Sequence, residues 1–182
     1  MPEGLVSLGI GAFNACTELS DVTMPQSLTT VGSGVFNGTK VFNDSLTDDG
    51  GNIVYADNWI VAVVNSAEIT ELSWSGVEKP AADATFIREG TVGIVGRAFV
   101  SCENLTRVVL PPSIKYLGDS CFARNKALYS VTLPGVETIS YGVFSDCDIL
   151  QILDLGQSLK SIGAKAFYGC DRLDNPTTGD LI

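Results

Sequence analysis

The stretch I-V-G-R-A-F-V-S-C-E-N-L-T-R-V-V-L-P, residues 94–111, contains a pattern that recurs along this 182-residue chain. An aliphatic residue stands five positions before a phenylalanine, and a large apolar residue stands six positions after it. Six copies share this arrangement, and their phenylalanines are Phe13, Phe36, Phe99, Phe122, Phe144 and Phe167. Successive phenylalanines are 23, 63, 23, 22 and 23 residues apart. This regular period predicts a repeat architecture.

A short strand is predicted after each phenylalanine, because the large apolar residue opens a motif of the form L-x-x-V-x-L-P. The last two apolar residues of the motif are two positions apart, which is the period of a strand with one buried face. The proline ends the strand, since it has no amide hydrogen to donate to a ladder. The remaining apolar positions fit a second short extended piece and one tight helical turn, as at Ile114, Leu117, Cys121 and Phe122.

A unit of 22–23 residues cannot bury its own apolar side and must stack on copies of itself. Stacking produces parallel strands with a rise of about 4.8 Å per repeat. We therefore expect an α/β repeat solenoid, a right-handed superhelix of leucine-rich-repeat length with a parallel β ladder, short helical turns and a β-rich insertion.

Four units resemble the BspA-like leucine-rich-repeat family, whose repeat reads I-x-x-I-G-x-x-A-F-x-x-C-x-x-L-x-x-V-x-L-P-x-S. They are residues 5–27, 94–113, 114–134 and 136–158. Proteins of that family are typically secreted or surface-exposed, and they bind proteins rather than catalyse reactions. The resemblance therefore implies a non-catalytic, adhesin-like recognition module that is extracellular or at the cell surface. A carbohydrate-binding module and a structural spacer in a larger surface protein are the alternatives.

The spacing between Phe36 and Phe99 leaves about 40 residues beyond one period. We therefore divide the single solenoid domain into three parts: repeats 1–2 at residues 1–42, a β-rich insertion at residues 43–83, and repeats 3–6 at residues 84–182. The repeats are incomplete at both ends, so we expect the chain to be part of a longer protein. Exposed ladder ends are candidates for homodimer contacts.

Within the insertion, the Asp-, Asn- and Gly-rich residues 43–52 predict a loop. The β-branched and aromatic residues 53–64 predict a hairpin or two short strands. Two later segments compete for the missing ladder strand. Counting back from Phe99 favours residues 85–88 for the ladder, with residues 69–74 as a neighbouring strand.

Composition argues against several function classes. The net charge of −10, from 11 basic and 21 acidic residues, disfavours binding to nucleic-acid phosphates. The chain has no histidine, which excludes His-based triads and His-ligated metal sites. No apolar run approaches 18 residues, so we expect no membrane insertion. We also expect no cofactor and no enzymatic activity; Asp57 near Trp59 and Glu71 near Trp74 are the only carboxylates suited to glycoside hydrolysis.

Four of the five cysteines stand three positions after a repeat phenylalanine, at Cys16, Cys102, Cys147 and Cys170. Equivalent residues of adjacent repeats would have nearly parallel Cβ vectors, which is poor geometry for a disulfide. We therefore predict a ladder of small buried thiols. No C-x-x-C pair indicates a metal site.

The acidic loop could hold a hard cation through its oxygens, which belong to Asp44, Asp48, Asp49 and Asn52. Its spacing departs from the D-x-D-x-D-G pattern of calcium loops, so a solvated loop is favoured over a Ca²⁺ site.

The candidate binding surface is the outward side of the ladder strand, because the residues that flank the buried middle position point away from the core. In a solenoid they form one continuous face, where partners usually bind. They are Asp21, Thr23, Phe86, Arg107, Val109, Ser130, Thr132, Ile152 and Asp154. Their mixture of hydroxyl, apolar and sparse charged groups favours a protein partner, such as a host or neighbouring-cell surface or matrix protein.

The insertion offers a second candidate surface through Trp59 and Trp74, together with Tyr55. Exposed aromatic rings there would suit sugar stacking or a protein contact. Burial of the same rings against the sheet is the alternative.

Overall fold

The computed structural model of the chain describes residues 1–45, 52–77 and 81–173. Short strands and tight turns dominate those ranges. The strands of the first half are β1 Ser7–Leu8, β2 Thr30–Val31, β3 Ile53–Ala56, β4 Trp59–Val63, β5 Glu71–Ser73 and β6 Thr85–Phe86. Those of the second half are β7 Gly93–Ile94, β8 Arg107–Val109, β9 Tyr116–Leu117, β10 Ser130–Thr132, β11 Thr138–Ile139, β12 Ile152–Asp154 and β13 Ser161–Ile162. An α-helix, α1, covers Lys40–Ser45, and a 3₁₀ turn covers Ser66–Glu68.

Each repeat phenylalanine lies at the centre of a tight turn whose backbone geometry is the same in all six copies. The residues two positions before and two positions after it have φ between 55° and 72°. Seven of these twelve residues are not glycine, although other residues rarely adopt positive φ. Bonds to the next turn stabilise this geometry: the amides of Arg97, Phe99 and Ser101 donate to carbonyls of the following repeat at 2.8–3.0 Å.

The phenylalanine rings form two stacks in the core. Phe13 and Phe36 lie 5.8 Å apart between ring centroids. The other four rings form a continuous stack with centroid separations of 5.1, 5.5 and 5.5 Å, in the order Phe99, Phe122, Phe144 and Phe167. The predicted repeat is confirmed, and its stack is interrupted where the insertion enters.

The strands form two main sheets. The five-stranded sheet has the order β12-β10-β8-β5-β6, and all of its pairs are parallel. The six-stranded sheet has the order β13-β11-β9-β7-β4-β3, with β3 and β4 antiparallel and the other pairs parallel. Strands β1 and β2 form a separate parallel pair. The predicted leucine-rich-repeat solenoid with a parallel ladder is confirmed.

The position three residues after each phenylalanine carries a hydrogen-bond donor. Cys147 donates its thiol hydrogen to the carbonyl of Phe122, the phenylalanine of the preceding repeat, at 3.3 Å. Asn125 fills the same position in its repeat, and its Nδ2 donates to the carbonyls of Phe99 and Phe122 at 3.0 and 2.8 Å. Thr39 donates from Oγ1 to the carbonyl of Phe36 at 2.7 Å. Cysteine, asparagine and threonine therefore alternate in this position because each supplies a donor to the core.

All five cysteines are free thiols. The prediction of buried thiols is correct for Cys102 and Cys147, while Cys170 is half-buried. It is wrong for Cys16, which is exposed. Cys16 lies in the first described repeat, so no preceding described repeat covers its side chain. A further buried thiol, Cys121, directly precedes a repeat phenylalanine.

The strand expected at residues 21–23 is absent, and that prediction is wrong. The following repeat has no strand to pair with this segment, because α1 comes directly after the Phe36 turn. The carboxylate of Asp57, in the turn between β3 and β4, instead accepts a hydrogen bond from the amide of Met24 at 2.8 Å.

The predicted hairpin is confirmed as β3 and β4, with Asp57 at φ 52° in its turn. The loop predicted at residues 43–52 is wrong for residues 43–45, which belong to α1. Residues 46–51 lie outside the described part of the chain.

The preference for residues 85–88 as the ladder strand is correct for Thr85 and Phe86, which join the ladder sheet as β6, but wrong for the position beside β8. Strand β5 occupies that position, with Leu72 opposite Val108. Strand β6 pairs with the other side of β5 and forms the sheet edge. Ile69 and Leu72 are both fully buried, whereas Thr85 is only half-buried. The segment whose strand residues are more deeply buried therefore lies beside β8, and counting residues back from Phe99 does not decide the pairing.

Replacement of Phe122 by alanine should destabilise the solenoid strongly. The ring is fully buried and stacks on a phenylalanine on each side. We expect the free energy of unfolding, measured by urea denaturation, to fall by about 3–5 kcal/mol. The control Tyr129→Ala, at a side chain that is 43% exposed, should change it by less than about 0.5 kcal/mol. A loss below about 1 kcal/mol for Phe122→Ala would contradict the stacked core.

The thiols should differ in reactivity. Burial raises the pKa of Cys102 and Cys170 to about 11 and that of Cys147 to about 12, and it raises the pKa of Cys121 as well. Because the thiolate is the reactive form, the native chain at pH 8 should react rapidly with one equivalent of a thiol reagent, at Cys16. Cys16→Ser should remove this fast phase, and denaturant should expose every thiol. A fast phase that survives in Cys16→Ser would contradict the assigned burial.

Candidate functional site

The five-stranded sheet presents two rows of outward side chains. Its middle residues, Leu72, Val108, Val131 and Leu153, are buried in the core. Their neighbours along each strand point to the opposite face, since side chains alternate in a strand. The register aligns the first row as Glu71, Arg107, Ser130 and Ile152. It aligns the second row as Phe86, Ser73, Val109, Thr132 and Asp154. We call these nine residues the ladder face.

Exposed apolar side chains lie at the two edges of the ladder face. Phe86 on β6 is 52% exposed, and Ile152 on β12 is 46% exposed. Four strand spacings separate β6 from β12, which places the two side chains about 19 Å apart across the sheet. The hydroxyl residues Ser130 and Thr132, between them, are half-buried. The face therefore has two apolar contact points with small polar groups between them.

An ion pair lies near the centre of the ladder face. Arg107 Nη1 lies 3.1 Å from Glu71 Oε1, and the Glu71 side chain is only 8% exposed. A buried carboxylate is costly unless a cation accompanies it, so Arg107 is held in place by this contact. The Arg107 side chain remains 39% exposed, which leaves guanidinium donors available to a partner.

Other members of the ladder face support the sheet. Val109 is 8% exposed and Ser73 is fully buried between Phe86 and Val109 in the register. Asp154 Oδ1 accepts a hydrogen bond from the amide of Gly156 at 2.9 Å, so this carboxylate fixes the turn after β12.

The structure brings together seven of the eleven predicted contact residues on the ladder face. The other four lie elsewhere. Asp21 and Thr23 are exposed but outside the sheet. Trp59 is 1% exposed and stacks on Tyr116 with a centroid distance of 6.1 Å. Trp74 is half-buried, with its ring against Gly76.

The packing of Trp59 explains why position 93, opposite it in the neighbouring strand β7, is a glycine. A Cβ atom on Gly93 would lie 2.3 Å from the Trp59 ring, so only glycine leaves room for the indole between β4 and β9. Tyr55 is also buried, and the Arg88 guanidinium lies 4.2 Å from its ring centroid. Both rings thus join the hairpin to the sheet.

Glu71 and Ser73 belong to the ladder face although they are not among the predicted contact residues. The spacing of Ile69 and Leu72, which matches the strand motif, was the signal that could have identified them. A further cluster that was not predicted lies on another surface, where Lys165 Nζ is 6.0 and 5.8 Å from the ring centroids of Tyr141 and Tyr168.

The carboxylates considered for catalysis have structural partners, since Asp57 binds the Met24 amide and Glu71 binds Arg107. Asp44 of the predicted acidic loop pairs with Lys40 within α1, while Asp48 and Asp49 lie outside the described residues. Across residues 1–45, 52–77 and 81–173, no group of three or more Cys, Asp or Glu residues is arranged to hold a metal ion. No helix in the same ranges is long and apolar enough to cross a membrane.

Solved structures with a similar fold are leucine-rich-repeat proteins. A leucine rich cell surface protein from Faecalibacterium prausnitzii A2-165 superposes with a TM-score of 0.60 and 21% identity, over 94% of this chain and 45% of that one. A leucine-rich repeat protein from Bacteroides ovatus ATCC 8483 gives a TM-score of 0.44 and 24% identity, over 95% of this chain and 46% of that one. This chain therefore spans less than half the length of either protein.

The family assignment comes from the sequence of the repeats. No curated protein matches the chain significantly. The family model described as the BspA type leucine rich repeat region matches six copies, at residues 1–56 and 87–180. The chain belongs to the BspA-type leucine-rich-repeat family.

Proposed function

We propose that this chain is a non-catalytic recognition module of a secreted or cell-surface protein and that it binds a protein partner through the ladder face. The observation that carries this proposal is the arrangement on that face of two exposed apolar side chains, Phe86 and Ile152, on either side of the anchored Arg107. Phenylalanine and arginine are both enriched in protein–protein interfaces relative to the rest of the protein surface.

The chemistry of the ladder face suits a protein better than a small anion. It combines apolar, hydroxyl and charged groups on a surface formed by regular strands, and regular elements hold contact groups more rigidly than loops do. Its one cation, Arg107, is already paired with Glu71, and Asp154 adds a further negative charge, which disfavours an anionic ligand. A partner that contacts both edges would span about 19 Å, which is consistent with interfaces that bury about 800 Å² on each partner.

The structural roles of the carboxylates support a non-catalytic function. General acid–base chemistry needs a carboxyl group positioned to exchange a proton with a substrate. Asp57, Glu71 and Asp154 each bind an amide or a guanidinium of this chain.

The proposed extracellular location of this chain rests on its structural similarity to a cell-surface protein. The protein from Faecalibacterium prausnitzii, whose fold this chain shares, is described as a cell surface protein. A protein in that location would meet partners on a host cell, on a neighbouring cell or in the surrounding matrix.

Binding should be tested on a panel of purified extracellular-matrix proteins and glycans with the wild-type chain, Phe86→Ser and Ile152→Ser. We expect retention on at least one protein, weakened at least about tenfold by either substitution, which is about 1.4 kcal/mol of binding free energy each. Both side chains are exposed, so the fold should be unaffected. Ile10→Ser, at an apolar side chain that is 83% exposed elsewhere, is the matched control and should bind as wild type does.

Three results would change the proposal. Protein binding that survives both ladder-face substitutions would place the site elsewhere. Retention on glycans that Trp74→Ala abolishes would favour the carbohydrate-binding alternative, since Trp74 is the half-exposed indole of the insertion. Failure to bind any member of the panel would favour a structural spacer.

A further inference from the structure

Backbone hydrogen bonds join the phenylalanine turns of adjacent repeats. At each regular junction, the phenylalanine and the residues two before and two after it donate their amides to three carbonyls of the next turn. Four junctions have the complete set, at 2.7–3.0 Å: those that follow Phe13, Phe99, Phe122 and Phe144. Among the described residues, the turns around Phe122 and Phe144 therefore both donate to the next repeat and accept from the preceding one.

The junction between the second and third repeats lacks all three bonds. The amides on one side belong to Gly34, Phe36 and Gly38, and the carbonyls on the other side belong to Gly96, Ala98 and Val100. Among the described residues, none of these six groups has a hydrogen-bond partner. One side of the junction thus carries amides, and the facing side carries carbonyls, that have no partner in the described part of the chain.

The insertion explains why the junction is open. The hairpin strand β4 pairs with β7 through Trp59 and Ile60, in the place that β2 of the second repeat would otherwise take. At the inner end the two repeats still touch, since the amide of Gly96 donates to the carbonyl of Val31 at 3.2 Å. From this contact the turns diverge as a wedge.

A cleft of about 420 Å³ fills the wedge. Ser33, Gly34 and Asn37 line one wall, Gly96, Arg97, Ala98 and Val100 line the other, and β4 with Ser66 lines the side. Ligand pockets in proteins typically measure roughly 300–1,000 Å³. The cleft is therefore large enough for a few residues with small side chains.

We propose that this junction cleft binds the main chain of a short peptide segment. A peptide backbone carries carbonyls and amides at regular intervals, so one segment could accept from the Gly34 wall and donate to the Ala98 wall, as a repeat turn does at the closed junctions. Other recognition domains gain affinity in the same way, when an extended peptide pairs with an unpaired backbone edge. The site is separate from the ladder face and does not depend on it.

Substitutions that fill the cleft should abolish this binding. Val100 and Ser33 are replaced by tyrosine, because the chain already carries Tyr168 and Tyr141 in the equivalent positions of other repeats, both exposed. The matched control is Ser145→Tyr, which makes the change of Val100→Tyr at a closed junction. Circular dichroism and thermal unfolding establish that each variant is folded.

The probe is a displayed library of linear heptapeptides, selected on the wild-type chain and counter-selected on Val100→Tyr. We expect enriched peptides rich in Gly, Ala and Ser that bind Val100→Tyr and Ser33→Tyr at least tenfold more weakly than wild type and bind Ser145→Tyr equally well. In ¹⁵N spectra, an enriched peptide should shift the amide signals of Gly34, Phe36 and Gly38, while N-methylation of its backbone should weaken binding at least tenfold.

The proposal is overturned by a selection that yields no peptide able to distinguish wild type from folded Val100→Tyr. It is also overturned if the enriched peptides shift other amides or tolerate backbone N-methylation, because recognition would then not use the main chain. Loss of binding in Phe86→Ser with retention in Val100→Tyr would assign the peptides to the ladder face.

Discussion

The hydrogen bonds between successive phenylalanine turns are the constraint on which the other features of this structure depend. They require two left-handed residues in each turn, and for residues other than glycine that conformation costs roughly 1–2 kcal/mol each. The chain adopts it at seven such residues, and six of them donate their amides to the next turn: Ala15, Arg97, Ser101, Ser120, Arg124 and Asp146. The bonds hold equivalent atoms of successive repeats in register. Phenylalanine stacking, strand pairing and the alignment of the ladder face follow from that register.

The insertion both completes and interrupts this arrangement. Strand β5 extends the ladder beyond β8 and brings Glu71 to Arg107, so the ladder face includes a charge pair formed by residues 36 positions apart. Strand β4 displaces the second repeat from the six-stranded sheet and leaves the junction cleft. A single departure from the repeat thus shapes two surfaces with different chemistry. The ladder face offers side chains, and the cleft offers backbone groups.

The regular part of the fold could be predicted from the sequence because a period of 22–23 residues constrains every repeat in the same way. The spacing of the apolar residues predicted the strands β8, β10 and β12. It also predicted which residues of these strands flank the buried middle residue and point outward. The insertion could not be predicted to the same depth, because its pairings join distant segments. Residues 69–74 and 85–88 both fit the ladder motif locally, and only burial beside Val108 distinguishes them.

The same limit applied to individual residues of the candidate sites. Burial of Trp59 depends on a glycine 34 positions later, and loss of the strand at residues 21–23 depends on a helix in the next repeat. The cleft depends on six backbone groups, and every residue type carries such groups except for the amide that proline lacks. No sequence motif could therefore have indicated it. These features arise from contacts between repeats and not from the pattern within one.

Amide hydrogen exchange, resolved residue by residue, tests whether turn-to-turn hydrogen bonds hold the repeat array together and are missing at one junction. Strong protection is expected for the phenylalanine amides that donate to the next turn, those of Phe13, Phe99, Phe122 and Phe144. The amide of Phe36, at the open junction, should exchange at least about tenfold faster than that of Phe122. Equal protection of Phe36 and Phe122 would show that the second junction is closed, and it would contradict both the interrupted array and the cleft.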